Sequence, residues 1–157
     1  MQSGRTVTAK SRSAEELLGL VGEKLGPGDW QEVTQEQVNL FADATDDHQW
    51  IHVDPDRARS GPFGQTIAHG FLTLALLPAL LQPLLRVEGA RLGVNYGLNR
   101  VRFPAPVPVG ARIRAKALLK EATAFEGGVQ IVVETTVEIE GSSKPACVAE
   151  TITRYYA

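Results

Sequence analysis

Cysteine is nearly absent from this 157-residue chain, which holds one, Cys147. A lone cysteine closes no internal disulfide and builds no cysteine-rich zinc site. Its place in Ala146-Cys147-Val148-Ala149 predicts a small buried hydrophobe rather than a nucleophile. No charge of one sign dominates: 16 Lys and Arg stand against 18 Asp and Glu, a formal net charge of -2. That removes the basic footprint of a nucleic-acid binder. Long hydrophobic runs are missing too. The longest apolar stretch, Phe71–Leu81, is interrupted by Thr73 and Pro78 and is too short to span a bilayer. No uninterrupted apolar run follows Met1, so no secretory signal is expected and the cytoplasm is the expected compartment. Internal repeats and low-complexity linkers are also lacking.

What remains is the composition of an ordinary globule, with 43% hydrophobic and 22% charged residues. The length favours one domain with a sizeable core. Residues 1–12 are polar and read as a flexible N-terminus, leaving a single domain over 13–157. Two capping boxes, Ser13-Ala14-Glu15-Glu16 and Thr34-Gln35-Glu36-Gln37, announce helices, the second running to about Ala44. Trp30–Val33 reads as a short strand between them. Asp54-Pro55 pairs an N-cap with proline at the first helical position. Residues 69–85 are apolar almost all round, which predicts a buried helix, kinked or ended by Pro78 and Pro83.

From Ala90 the period changes to two. Ile113, Ala115 and Ala117 alternate with Arg112, Arg114 and Lys116, and Val129, Ile131, Val133, Thr135, Val137 and Ile139 repeat the pattern. With turn signals at 126–128 and 141–143, this predicts about four long antiparallel strands, counting Leu92–Phe103 and Ala146–Tyr156. Helices first and strands later make an α+β class, with the sheet wrapped around the buried helix.

The chemistry concentrates in Asp47-His48-Gln49-Trp50-Ile51-His52, followed by Ala68-His69-Gly70-Phe71. A carboxylate, an imidazole and a backbone donor at a helix start are the parts needed to work on a polarised carbonyl. A spacing of five places Asp47 and His52 on different helical faces, so a loop must bring them together. On spacing alone, a capping aspartate and a packing histidine explain them as well, and Asp46 and His48 are the decoys. Gly70 shifts the balance, because the first turn of a helix leaves N–H groups unpaired and glycine allows close approach. A metal site from Asp47, His48, His52 and His69 fits no common ligand spacing.

Asp-x-x-x-[Ile/Leu]-His joined to Gly61-Pro62-Phe63-Gly64 and Ile67-Ala68-His69-Gly70-Phe71 resembles the hydratase signature of MaoC-like dehydratases. The run Asn95-Tyr96-Gly97-Leu98-Asn99-Arg100-Val101-Arg102-Phe103-Pro104 is similar to the branch that includes nodulation protein N-like proteins. The resemblance extends from about Trp30 to the C-terminus. It implies a hot-dog fold, usually homodimeric, and hydration of trans-2-enoyl-CoA to (R)-3-hydroxyacyl-CoA. It further implies Asp47 and His52 as the catalytic pair, the Gly70 N–H as oxyanion donor, and no cofactor or metal beyond the coenzyme A thioester itself. Many members carry Asn-Pro where this chain has Gln49-Trp50, so no role passes to Gln49 by resemblance.

On that reading Trp50, Ile51, His69 and Phe71 are candidate substrate contacts, and Arg100, Arg102, Arg112 and Arg114 are candidates for the coenzyme A phosphates. A charged strand face is more often simply solvated. Two other functions compete: a hot-dog acyl-CoA thioesterase, which generally lacks this pair, and a non-catalytic acyl-CoA-binding protein, which would have a defective one.

Overall fold

The computed structural model describes residues 10–157. In chain order the elements are β1 (Lys10–Ser13), a 3-10 helix (Glu16–Gly19), β2 (Lys24–Leu25), β3 (Gln31–Glu32), α1 (Gln35–Thr45), α2 (Trp50–Val53), α3 (Pro55–Arg59), α4 (Gly70–Ala75), α5 (Leu77–Leu81), β4 (Leu85–Glu88), β5 (Leu92–Arg102), β6 (Arg112–Phe125), β7 (Gly128–Ile139) and β8 (Cys147–Tyr156). Of the twelve residues read as a flexible N-terminus, 1–9 lie outside the described residues, whereas Lys10–Ser13 pairs in parallel with Leu85–Glu88.

The four long strands form one antiparallel sheet in the order β6-β7-β8-β5, and the short β2 and β3 both pair with β6. The register places Ile113 opposite Ile139 and Ala115 opposite Val137, all buried. One slip of register would turn that whole set to solvent, so the pattern fixes the pairing. The β6–β7 hairpin turns at Gly127, whose φ of 101° suits only glycine without strain. On the outer face Arg112 pairs with Glu140, and Arg114 and Lys116 share Glu138.

The apolar stretch over 69–85 departs from the sequence expectation. It forms two short helices, α4 and α5, that meet at Leu76. Pro78 has no N–H to give Leu74, so the ladder breaks there. Only the inner face is buried, with Leu72, Leu77 and Leu80 packed among Val38, Ile113, Ala115, Val137 and Ala149. Each such leucine contributes about 1.5–3 kcal/mol by leaving water. Phe71 on the outer face is 69% exposed. The helix expected after Ser13 shrinks to a single 3-10 turn. Ser13 Oγ does accept the Glu16 N–H at 3.1 Å, but of its apolar residues only Leu17 finds a buried place. None of the helices among the described residues is long and apolar enough to cross a membrane.

Candidate active site

Helix α1 starts as its capping box predicts, with Thr34 Oγ1 accepting the Gln37 N–H at 3.2 Å. It stops at Asp46, which adopts φ 60°, a left-handed conformation that aspartate tolerates better than most residues. The reversal releases Asp47 into the loop that leads to α2. The flanking decoys pair with each other instead: the exposed His48 ring lies 2.9 Å from Asp43 and 3.4 Å from Asp46. The Asp43 hydrogen bond, with both carboxylates nearby, raises the His48 pKa.

The four-residue helix α2 presents His52, and its anchor is Trp50. The Arg57 guanidinium lies 4.4 Å from the centre of the indole. A Cβ added to Gly61 would sit 2.8 Å from the same ring, so glycine gives the indole its seat. Trp50 therefore fastens the loop to the end of α3, whose start is capped by Asp54 Oδ1 accepting the Arg57 N–H at 3.1 Å. This accounts physically for Trp50 where the family commonly carries proline.

His52 is 7% exposed, and its Nδ1 lies 2.7 Å from the Ile67 carbonyl oxygen. A carbonyl only accepts, so Nδ1 carries the proton and Nε2 keeps the free lone pair. Burial lowers the His52 pKa. The Ile67 bond opposes that shift, the neighbouring His69 reinforces it, and the Asp47 charge opposes it. At neutral pH the ring is an uncharged base. His69, 3% exposed, stacks on His52 with 3.8 Å between centroids and 24° between planes. Its Nε2–H donates to the Asp47 carbonyl at 2.9 Å, and Phe41 packs against it. His69 thus touches both residues of the pair.

One ligand-type atom from each of Asp47, His52 and His69 lies within 4.8 Å of the other two. A water that bonds both Asp47 and His52 at about 2.8 Å each spans such a gap. A metal ion fits less well. Stacked imidazoles aim their in-plane lone pairs side by side rather than at a common point, so one ring would have to turn.

Gly70 opens α4, and its N–H has no acceptor within the helix. With only six residues in α4, that free donor matters more than any macrodipole. A Cβ on Gly70 would lie 3.0 Å from the Phe103 ring, and Phe103 in turn meets Phe71 edge-on at 6.2 Å.

A cavity of about 680 Å³ lies between α4–α5 and the sheet, bounded by Leu74, Ala75, Pro78, Leu81, Tyr96 and Leu98 among others. Trp50, Ile51, His69 and Phe71, the candidate substrate contacts, are not among its walls. Of the candidate arginines, Arg112 and Arg114 are engaged in ion pairs, Arg114 also lying over Trp30. Arg100 and Arg102 stay exposed on β5. The sequence reading overlooked Gln35 and Thr66, which hydrogen-bond each other at 2.7 Å beneath His52. Only the capping box hinted at Gln35, and as a helix start rather than a side chain with a task.

Residues 17–142 match the family described as the MaoC like domain. The chain belongs to the MaoC-like dehydratase family. It is 62% identical over 146 residues to 3-hydroxyacyl-thioester dehydratase Z of Mycobacterium tuberculosis, covering 92% of this chain and 97% of that protein. It is 48% identical to nodulation protein N of Rhizobium leguminosarum bv. viciae, over 85% of this chain and 84% of the other. The fold matches the unliganded R-hydratase of Pseudomonas aeruginosa with a TM-score of 0.71, at 24% identity, over 87% of this chain and 81% of that one. The hot-dog fold is thereby established for this MaoC-like protein, and its class is that of a hydro-lyase.

Proposed function

We propose that this MaoC-like protein is an (R)-specific enoyl-CoA hydratase, adding water to trans-2-enoyl-CoA and, in reverse, dehydrating the (R)-3-hydroxyacyl thioester. The observation that carries the reading is the convergence of the Asp47 carboxylate and the buried, Nδ1-protonated His52 to a one-water gap. The name of the mycobacterial relative, a 3-hydroxyacyl-thioester dehydratase, supports the substrate class.

In the proposed mechanism the thioester carbonyl points at the Gly70 N–H and the enoyl C3 faces the gap. Asp47 orients the water. His52 Nε2 takes a proton from it as its oxygen bonds to C3, and the imidazolium so formed returns that proton to C2 on the same face. Charge developing on the thioester oxygen falls to the Gly70 N–H, a donor of the kind worth about 10²–10³ in rate. Positioned acid–base transfer contributes about 10²–10⁴. The acyl chain takes the apolar cavity along α4–α5, and coenzyme A is the carrier at the open end. No redox or metal cofactor enters this scheme.

A second copy of the chain belongs to the reading. Strand β5 is a sheet edge whose Leu92, Val94, Tyr96 and Leu98 are 42–56% exposed. A long apolar edge of this kind favours pairing with a twofold-related copy.

The test follows the ultraviolet absorbance of crotonyl-CoA and of a longer enoyl-CoA on mixing with pure protein. Consumption of either, with an (R)-3-hydroxyacyl product, is expected. Release of free thiol from a saturated acyl-CoA, with no loss of the enoyl absorbance, would assign a thioesterase instead.

A further inference from the structure

The carbonyl of His52 lies in the single turn of the four-residue helix Trp50–Val53. Such terminal carbonyls have no N–H ahead of them in the helix, and the residue three further on, Pro55, has none to give. Its partner comes from 17 residues upstream: Gln35 Nε2 donates to the His52 oxygen at 2.7 Å. The same nitrogen donates to Asn39 Oδ1 at 3.0 Å, so both amide hydrogens have acceptors. Gln35 Oε1 accepts from Thr66 Oγ1 at 2.7 Å. The opposite amide orientation would turn an oxygen on the His52 carbonyl and on Asn39 Oδ1, two acceptors, and is excluded by that chemistry.

These bonds close a circuit. Thr66 precedes Ile67, whose carbonyl receives the His52 ring proton at 2.7 Å and whose N–H donates to Ile51 at 3.0 Å. The segment 66–68 is itself held from the other side, Val109 donating to the Thr66 carbonyl and Ala68 donating to that of Val107. Gln35 thus grips the backbone of His52 while Thr66, fixed to the strand-side loop, sets which way the Gln35 amide faces.

We propose that Gln35, oriented by Thr66, is a positioning residue that holds His52 in its Nδ1–H tautomer with Nε2 directed at the reacting water. The proposal rests on the reading of His52 as the base. A single turn of helix is a weak mount for a catalytic ring, and a misplacement of about 1 Å costs about 10²-fold in rate. Neither residue touches substrate in this scheme, and both act through the placement of one imidazole.

The experiment combines kinetics with ¹⁵N NMR of the histidine rings in the full chain. Gln35→Met keeps the side-chain length and removes all three hydrogen bonds. It is expected to lower kcat for an enoyl-CoA about 10- to 100-fold with little change in KM, and to move the His52 signals from the Nδ1–H pattern toward a tautomer mixture. Thr66→Val is expected to act in the same direction, while Thr66→Ser, which keeps the hydroxyl, restores both readouts. Because Thr66 works through Gln35, adding Thr66→Val to Gln35→Met should lower kcat no further. An unchanged tautomer in Gln35→Met, or additive losses in the double variant, overturns the proposal, even if thermal stability falls. If Gln35→Met does not fold, the Thr66→Val and Thr66→Ser contrast decides by the same two readouts. A wild-type protein inert toward every enoyl-CoA would overturn the hydratase reading, whereas the NMR comparison still decides whether Gln35 holds the ring.

Discussion

The imidazoles of His52 and His69 lie face to face, 3.8 Å between centroids. Two protonated rings at that distance repel, and burial already penalises a charge on His52. His69 meanwhile spends its Nε2–H on the Asp47 carbonyl. One residue therefore sets the height of Asp47 and depresses the basicity threshold of His52. In a plot of kcat/KM against pH, the acid limb is expected to lie below the ordinary histidine value of 6.5, because only neutral His52 accepts a proton. His69→Gln keeps a donor for Asp47 and removes the neighbouring imidazole that lowers the His52 pKa, so the limb should shift upward. A limb that stays in place in that variant would separate His69 from the ionisation of His52.

The same shift ties folding to pH. A histidine held neutral in the native state takes up its proton more readily when unfolded. Stability from this group is complete above 6.5, the unfolded value, and is lost as the pH falls through the lower folded value. Denaturant unfolding of the wild type at pH 7.5 and pH 5.5 should show the decline, and His52→Gln should flatten its share of it. An identical pH dependence in the two proteins would contradict the assignment.

The pair and its decoys can be separated directly. Asp47→Asn and His52→Gln should each lower kcat by at least about 10², with near-native folding by circular dichroism. Asp46→Asn should retain turnover within about twofold, since its carboxylate is 98% exposed and faces His48; a surface change of this kind stays within about 0.5 kcal/mol in stability. Loss of activity in Asp46→Asn would shift the assignment one residue upstream.

Much of this site was legible in sequence, and the limits have physical causes. Alternation over Arg112–Ile139 gave the strands because the inward set Ile113, Ala115, Val137 and Ile139 repeats at the period of the pleat. Asp47, His52 and Gly70 could be nominated because their residue types match one chemistry. The convergence of Asp47 with His52 depends on the left-handed turn at Asp46 and on the Ile67 carbonyl, and neither leaves a residue-type signature. The apolar stretch over 69–85 looked buried all round because composition reports hydrophobicity, not which face finds a partner within one chain. The surroundings of Trp50 were not legible in the sequence either. Trp50 is taken up by Arg57 and Gly61, contacts seven and eleven residues along the chain that only the fold discloses. Gln35 was hidden in a capping box because its long-range partners, His52 and Thr66, are 17 and 31 residues away.

Gly70 carries two requirements that a paired substitution separates. Alanine retains the N–H but puts a methyl 3.0 Å from the Phe103 ring, closer than carbon atoms settle. Gly70→Ala should lower kcat by displacing Phe103 or the turn itself, at a stability cost of about 1–3 kcal/mol. Adding Phe103→Ala gives the methyl room. If the double variant recovers turnover relative to Gly70→Ala, clearance against Phe103 is the reason for glycine. If it does not, the close approach of substrate to the Gly70 backbone is.

The cavity along α4–α5 predicts how the protein grades its substrates. Its volume of about 680 Å³ is within the range that encloses a drug-sized ligand, far more than a crotonyl group fills. Ala75 lies on its wall beside Leu74 and Pro78. Ala75→Phe would occupy part of that space while leaving Gly70, five residues earlier, in place. Each acyl methylene that loses an apolar wall forfeits about 0.8 kcal/mol, so two displaced methylenes amount to about tenfold in kcat/KM. The ratio of kcat/KM for octenoyl-CoA to that for crotonyl-CoA should therefore fall by about tenfold or more in Ala75→Phe. Parallel losses on both substrates would mean that the change acts on the catalytic end instead, and an unchanged ratio would place the acyl chain elsewhere on the molecule.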